Sequence, residues 1–69
     1  METLSSRLKK IRSSAGLTQA QLAQAAGVSR QTIISIERGD YAPSVYLALR
    51  IASTLSVTVE DIFTIKEEK

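Results

Sequence analysis

No cysteine and no histidine occur in this chain of 69 residues. That excludes disulfide staples, zinc fingers, thiolate nucleophiles and any Ser-His-Asp triad. No apolar run approaches the ~18 residues needed to span a bilayer. The start, Met1-Glu2-Thr3-Leu4, lacks the apolar stretch of a secretory signal. A cytoplasmic protein without a membrane partner is therefore expected. Ser, Asp and Glu are present, but no constellation of them suggests acid–base chemistry. No enzyme activity, metal, cofactor or small-molecule ligand is expected. Repeats, linkers and low-complexity segments are also missing.

What remains is one small domain over residues 1–69. The 43% hydrophobic content argues for a folded chain. A chain this short buries a thin core. Consistent helix packing and extra burial from a second copy are both expected. The net charge of +2 is unevenly spread. Residues 1–38 sum to +4 and residues 39–69 to −2. Such asymmetry suggests one face meant for a polyanion.

Gly16, Gly27 and Gly39 each follow a stretch of helical periodicity, where a left-handed helix end belongs. Thr18, Ser29 and Ser44 follow them as candidate N-caps. Leu4, Leu8, Ile11 and Ala15 form an apolar stripe and predict a first helix. Thr18-Gln19-Ala20-Gln21 reads as a capping box opening a second helix, with Leu22, Ala23 and Ala26 inward. A third helix runs from about Ser29 to Arg38, with Ile33 and Ile36 inward. Pro43 sits before a fourth helix opened by Ser44, with Val45, Ala48, Ile51, Ala52 and Leu55 inward. Thr58-Val59-Glu60-Asp61 resembles another N-terminal box, opening a short fifth helix with Ile62 and Phe63. Thr64-Ile65-Lys66 alternates, which suits a short strand pairing with the first residues.

The informative stretch is 19–38. Two short helices are joined by a turn too short for them to lie antiparallel, so they cross steeply, as in a helix-turn-helix. Ala23 is small where the helices approach, Gly27 supplies the positive φ, and Val28 pins the turn inward. With Arg30 set at zero, Ile34 projects at ~40°, Arg38 at ~80°, Gln31 at ~100° and Ser35 at ~140°. Thr32, Ile36 and Ile33 fall between ~200° and ~300°. The face opposite the isoleucines presents groups suited to base edges in a major groove. Arg bonds guanine, Gln bonds adenine, and an aliphatic group packs on a thymine methyl.

The segments Leu17-Thr18-Gln19-Ala20-Gln21-Leu22-Ala23, Gly27-Val28-Ser29-Arg30-Gln31-Thr32-Ile33 and Ile36-Glu37-Arg38-Gly39 resemble the Cro/phage-repressor (Xre) helix-turn-helix family. Tyr41-Ala42-Pro43-Ser44, Leu47-Ala48-Leu49-Arg50-Ile51-Ala52 and Val59-Glu60-Asp61-Ile62-Phe63 extend the likeness to nearly the whole chain. The resemblance implies an all-α, five-helix, lambda-repressor-like fold. It also implies a homodimer that binds double-stranded DNA at a palindromic operator. In one small stand-alone repressor of that family the chain ends form a small sheet, which the resemblance implies here. By position, Arg30, Gln31 and Ser35 match base-contacting residues, with Ile34 beside them where relatives carry polar groups. Gln19 matches a residue that touches phosphate and braces the reading side chains. Thr32 and Arg38 match positions near the DNA backbone, and Thr18, Ser29 and Tyr41 are grouped with them as phosphate contacts. Arg12 and Glu37 match an ion pair between the first and third helices.

Each assignment has a plainer counterpart. Arg30 and Gln31 can be merely solvated, Arg38 suits a helix C-terminus anyway, and Lys9 and Lys10 read as a solvated face. Tyr41 and Tyr46 can be surface aromatics. Leu47 and Leu49 flank the core side of the fourth helix. Val57, Val59 and Ile65, with Tyr46, are candidates for a two-fold interface, although some of this surface can complete the core. A transcriptional regulator, most simply a repressor, is the expectation. An antitoxin or restriction-controller role, and a helical interaction module without DNA affinity, stand as alternatives.

Overall fold

The computed structural model describes residues 2–67. In chain order the elements are β1 (Glu2–Ser6), α1 (Leu8–Ser14), α2 (Gln19–Ala26), α3 (Arg30–Glu37), α4 (Val45–Leu55), α5 (Val59–Ile62) and β2 (Phe63–Glu67). The expected five helices are present, and the chain ends pair as an antiparallel two-stranded sheet. No helix among the described residues is long and apolar enough to cross a membrane.

The sheet corrects the start of the first helix. Leu4 lies in β1 opposite Ile65, and α1 begins only at Leu8. The Arg7 N–H donates to the Ile62 carbonyl at 2.8 Å, and Ser6 Oγ accepts from the Leu8 N–H at 3.3 Å. The backbone ahead of Leu8 is thus committed to β2 and to a turn, so the apolar spacing of Leu4 with Leu8 is not helical. Ala15, expected on the inner stripe, is exposed beyond the end of α1.

Hydroxyl caps open the later helices. Thr18 Oγ1 accepts from the Gln21 N–H at 3.0 Å, while Gln21 Oε1 accepts from the Thr18 N–H at 2.8 Å. Ser29 and Ser44 accept from Thr32 and Leu47 at 3.2 and 3.1 Å. Thr58 and Asp61 form a second reciprocal box at 3.1 and 2.9 Å. The Thr58 backbone N–H, helped by its hydroxyl, holds the Asp61 carboxyl below the ordinary carboxylate range. Each such cap satisfies helix-end donors that would otherwise lack partners.

Leu8, Leu22, Ile33, Ile36, Ile51 and Ile62 are fully buried and bring α1 to α5 onto one aliphatic core. The inner face of α4 differs from expectation at its first turn. Val45 is 77% exposed, whereas Leu47 is buried. The arc centres on Ile51, which places Leu47 ~40° away and Val45 ~120° away. Leu47 therefore completes the core rather than flanking it.

α4 ends at Ser56, a non-glycine residue in the left-handed region at φ 57°. The Val57 N–H reaches back to the Ala52 carbonyl at 3.0 Å, a bond that requires this conformation. A side chain there costs ~1–2 kcal/mol, while glycine gives up ~0.5–1 kcal/mol of chain entropy. Ser56→Gly is expected to stabilise the fold by about 0.5–1 kcal/mol. Thermal unfolding followed by circular dichroism should show a rise of roughly 2–8 °C. An unchanged or lower midpoint would show that the Ser56 conformation carries no strain.

Candidate nucleic-acid interface

The turn from α2 to α3 is made by Gly27, Val28 and Ser29. Gly27 has φ 75°, and the Val28 N–H bonds the Ala23 carbonyl at 3.0 Å. Ala23 is buried where the helices approach, and Val28 packs against the core. Ile33 and Ile36 are fully buried, which fixes the inner side of α3. Arg30 and Gln31 are exposed, while Thr32, Ile34 and Ser35 are half-buried.

Gln31 and Ser35 lie one helical turn apart, with Nε2 and Oγ at 3.5 Å. Ser29 Oγ and Thr32 Oγ1 share a 2.9 Å hydrogen bond. Ser29, Gln31, Thr32, Ser35, Asp40 and Tyr41 line one shallow hollow of about 250 Å³. Arg38, the C-cap of α3, is exposed and 3.4 Å from Asp40. Four of the expected contact residues are committed within the chain. Thr18 and Ser29 cap helices, Thr32 bonds Ser29, and the Gln19 amide donates to Glu37 at 3.0 Å. The Gln19 side-chain amide is thus engaged, while its backbone N–H sits at the start of α2, where an anion is favoured.

A buried ion pair holds this platform. Arg12 Nε donates to Glu37 Oε2 at 2.5 Å and Nη2 to Oε1 at 3.3 Å. Arg12 Nη1 donates to the Leu17 carbonyl at 2.8 Å. The two side chains are only 10% and 4% exposed. The pair expected from the sequence is present, and Gln19 joins it.

Arg50 is a positioning residue that sequence reading missed. From α4 its Nη2 donates to the Ala25 carbonyl near the end of α2 at 3.2 Å. Its Nη1 donates to the Tyr46 hydroxyl at 3.0 Å, and the guanidinium sits 5.8 Å from that ring's centre. A cation near a helix C-terminus is favourable. The local signal was the spacing of Tyr46 and Arg50, but Ala25 is too distant in sequence to be inferred.

The interface candidates separate. Val57 and Val59 line an open apolar groove of about 760 Å³ together with Leu4, Pro43, Leu49 and Phe63. Ile65 is 70% exposed on β2, on the same side of the sheet as its neighbour Leu4. Tyr46 lies outside the groove lining, against Arg50.

A helix-turn-helix family model matches residues 8–62. The uncharacterized HTH-type transcriptional regulator YgzD of Bacillus subtilis is 42% identical over 65 residues, covering 94% of this chain and 98% of that protein. The immunity repressor protein of Bacillus phage phi105 is 39% identical over 71 residues, covering 97% of this chain and 49% of that protein. Among solved structures, the restriction-modification controller protein C.AhdI of Aeromonas hydrophila superposes with TM-score 0.75 at 31% identity. That match covers 80% of this chain and 83% of that one.

Removing one partner of a buried pair strands the other charge. Arg12→Met or Glu37→Leu alone is expected to destabilise the fold by about 3–5 kcal/mol. The double variant should recover much of this. Urea unfolding of the three variants measures it. Single variants with the wild-type midpoint would show that the pair is solvated.

Proposed function

This chain belongs to the helix-turn-helix family of transcriptional regulators, and from that membership we propose that it is a repressor binding a palindromic operator as a homodimer. The observation that carries the reading is the outer side of α3. Arg30, Gln31, Ile34 and Ser35 lie away from buried Ile33 and Ile36, on a helix tied down by the Arg12–Glu37 pair. In this reading these four meet base edges in the major groove. Arg30 suits guanine O6 and N7, Gln31 suits adenine N6 and N7, and Ile34 suits a thymine methyl. Arg38 and Tyr41 flank the groove at the phosphates. Thr18, Gln19, Ser29 and Thr32 reach the backbone from the two helix N-termini, chiefly through N–H groups. The whole of residues 1–69 serves as one DNA-binding domain.

The dimer follows from what one domain covers. A single module buries only ~600–1,000 Å² on DNA. Two linked half-sites add affinity through effective concentration, with recognition helices about 34 Å apart. The apolar groove containing Val57 and Val59, with exposed Ile65 nearby on the sheet, supports a two-fold contact there. The phage immunity repressor among the relatives favours repression. The likeness to a restriction-modification controller favours a second reading, in which the same interface serves a restriction system. An adjoining endonuclease gene would mark that case.

Two measurements test the proposal. A duplex enriched by the wild-type protein from a random-sequence library serves as operator. Arg30→Ala is expected to weaken binding to it by about 1–3 kcal/mol while barely changing binding to a scrambled duplex. Equal losses on both would remove Arg30 from the base-reading set. Val59→Asp is expected to sediment as a monomer, melt lower than wild type and lose operator binding. A Val59→Asp protein that still sediments as a dimer would place the interface elsewhere.

A further inference from the structure

Asp40 is out of keeping with its surroundings. It lies two residues past the C-cap of α3, with its N–H bonded to the Ser35 carbonyl at 3.0 Å. A helix C-terminus carries partial negative charge, so a carboxylate beside it is disfavoured. Asp40 lines the same hollow as Gln31, Ser35 and Tyr41, on the side assigned to a polyanion. The salt bridge it makes with Arg38 spans 3.4 Å between side chains 71% and 63% exposed. Exposed pairs of this kind contribute little stability. A residue that opposes its local field without a folding gain points to a functional role.

We propose that Asp40 is a specificity-determining residue that lowers attraction to DNA of arbitrary sequence. The proposal rests on the DNA-binding reading above. Binding to arbitrary sequence is almost wholly phosphate neutralisation by cations. Asp40 offsets Arg38, one of the cations flanking the reading side of α3, and itself repels phosphate. On a cognate site its position beside Gln31 and Ser35 lets the carboxylate accept from a base-edge donor such as a cytosine amino group, which compensates the repulsion. On other sequences nothing compensates it. Discrimination, the difference between the two affinities, therefore widens.

The test is Asp40→Asn, which removes the charge and keeps the shape, with Asp40→Glu retaining the charge. Binding of the full-length protein is measured on the library-enriched duplex and on a scrambled duplex across a salt series. Asp40→Asn should bind the scrambled duplex several-fold more tightly. Its dependence of log K on log salt there should steepen by about 0.9, one further phosphate neutralised. Its affinity for the enriched duplex should stay level or fall, and Asp40→Glu should resemble wild type on the scrambled duplex. Unchanged binding to the scrambled duplex, or an equal gain on both duplexes, overturns the assignment. A wild-type protein that enriches no duplex from the library and does not bind the scrambled one overturns the DNA-binding reading itself.

Discussion

The Arg12–Glu37 ion pair is the contact on which the arrangement of the helix-turn-helix depends. It joins α1 to the last residue of α3, and its remaining hydrogen bonds reach the Leu17 carbonyl and the Gln19 amide. Two charges withdrawn from water are tolerable only when their hydrogen-bonding groups are met. Among the described residues, no buried side-chain nitrogen or oxygen lacks a partner. Apolar replacements can match the stability of such a pair, so its particular contribution is register. With Glu37 tied to Arg12, and Ile33 and Ile36 in the core, α3 has one rotation about its own axis. That rotation decides which side chains of α3 face outward.

A second arginine works at the opposite end of α2. Arg50 donates from α4 to the Ala25 carbonyl beside the Gly27 turn. Gln19 holds the start of α2 to Glu37, and Arg50 holds its end to α4. The two contacts differ in character. The Arg12 pair is dry and sensitive to loss of either partner, while the Arg50 contact is exposed and weaker. Between them, α2 is set against both α3 and α4, and the crossing of α2 and α3 is braced from two sides.

The proposed function divides the surface unevenly. The residues assigned to DNA lie on α3, its flanking loop and the start of α2. The open apolar groove lies between α4, α5, β1 and the loop before α4. The core beneath is aliphatic and thin, as expected of a chain this short. Burial of the groove against a second copy would add apolar contact that one chain cannot supply by itself.

Local chemistry made much of this legible. A capping box such as Thr18–Gln21, a left-handed glycine such as Gly27, and the paired Ile33 and Ile36 act within a turn or two of themselves, so sequence alone determined them. The family likeness rested on those same residues and is matched by the comparisons. The base and phosphate assignments were likewise read by position, and the structure adds which of those side chains are already engaged. What the tertiary structure decided involves partners distant in sequence. Leu4 reads as helical until Ile65 is placed across from it, because spacing cannot reveal a ladder closed between the two ends. Val45 and Leu47 exchange sides because the whole core, not the first turn, sets the rotation of α4. Arg50 looks like an ordinary surface charge until the fold brings the Ala25 carbonyl to it. Hydrogen bonds and caps within a segment are encoded where they act, whereas the environment of a side chain exists only once distant segments have met.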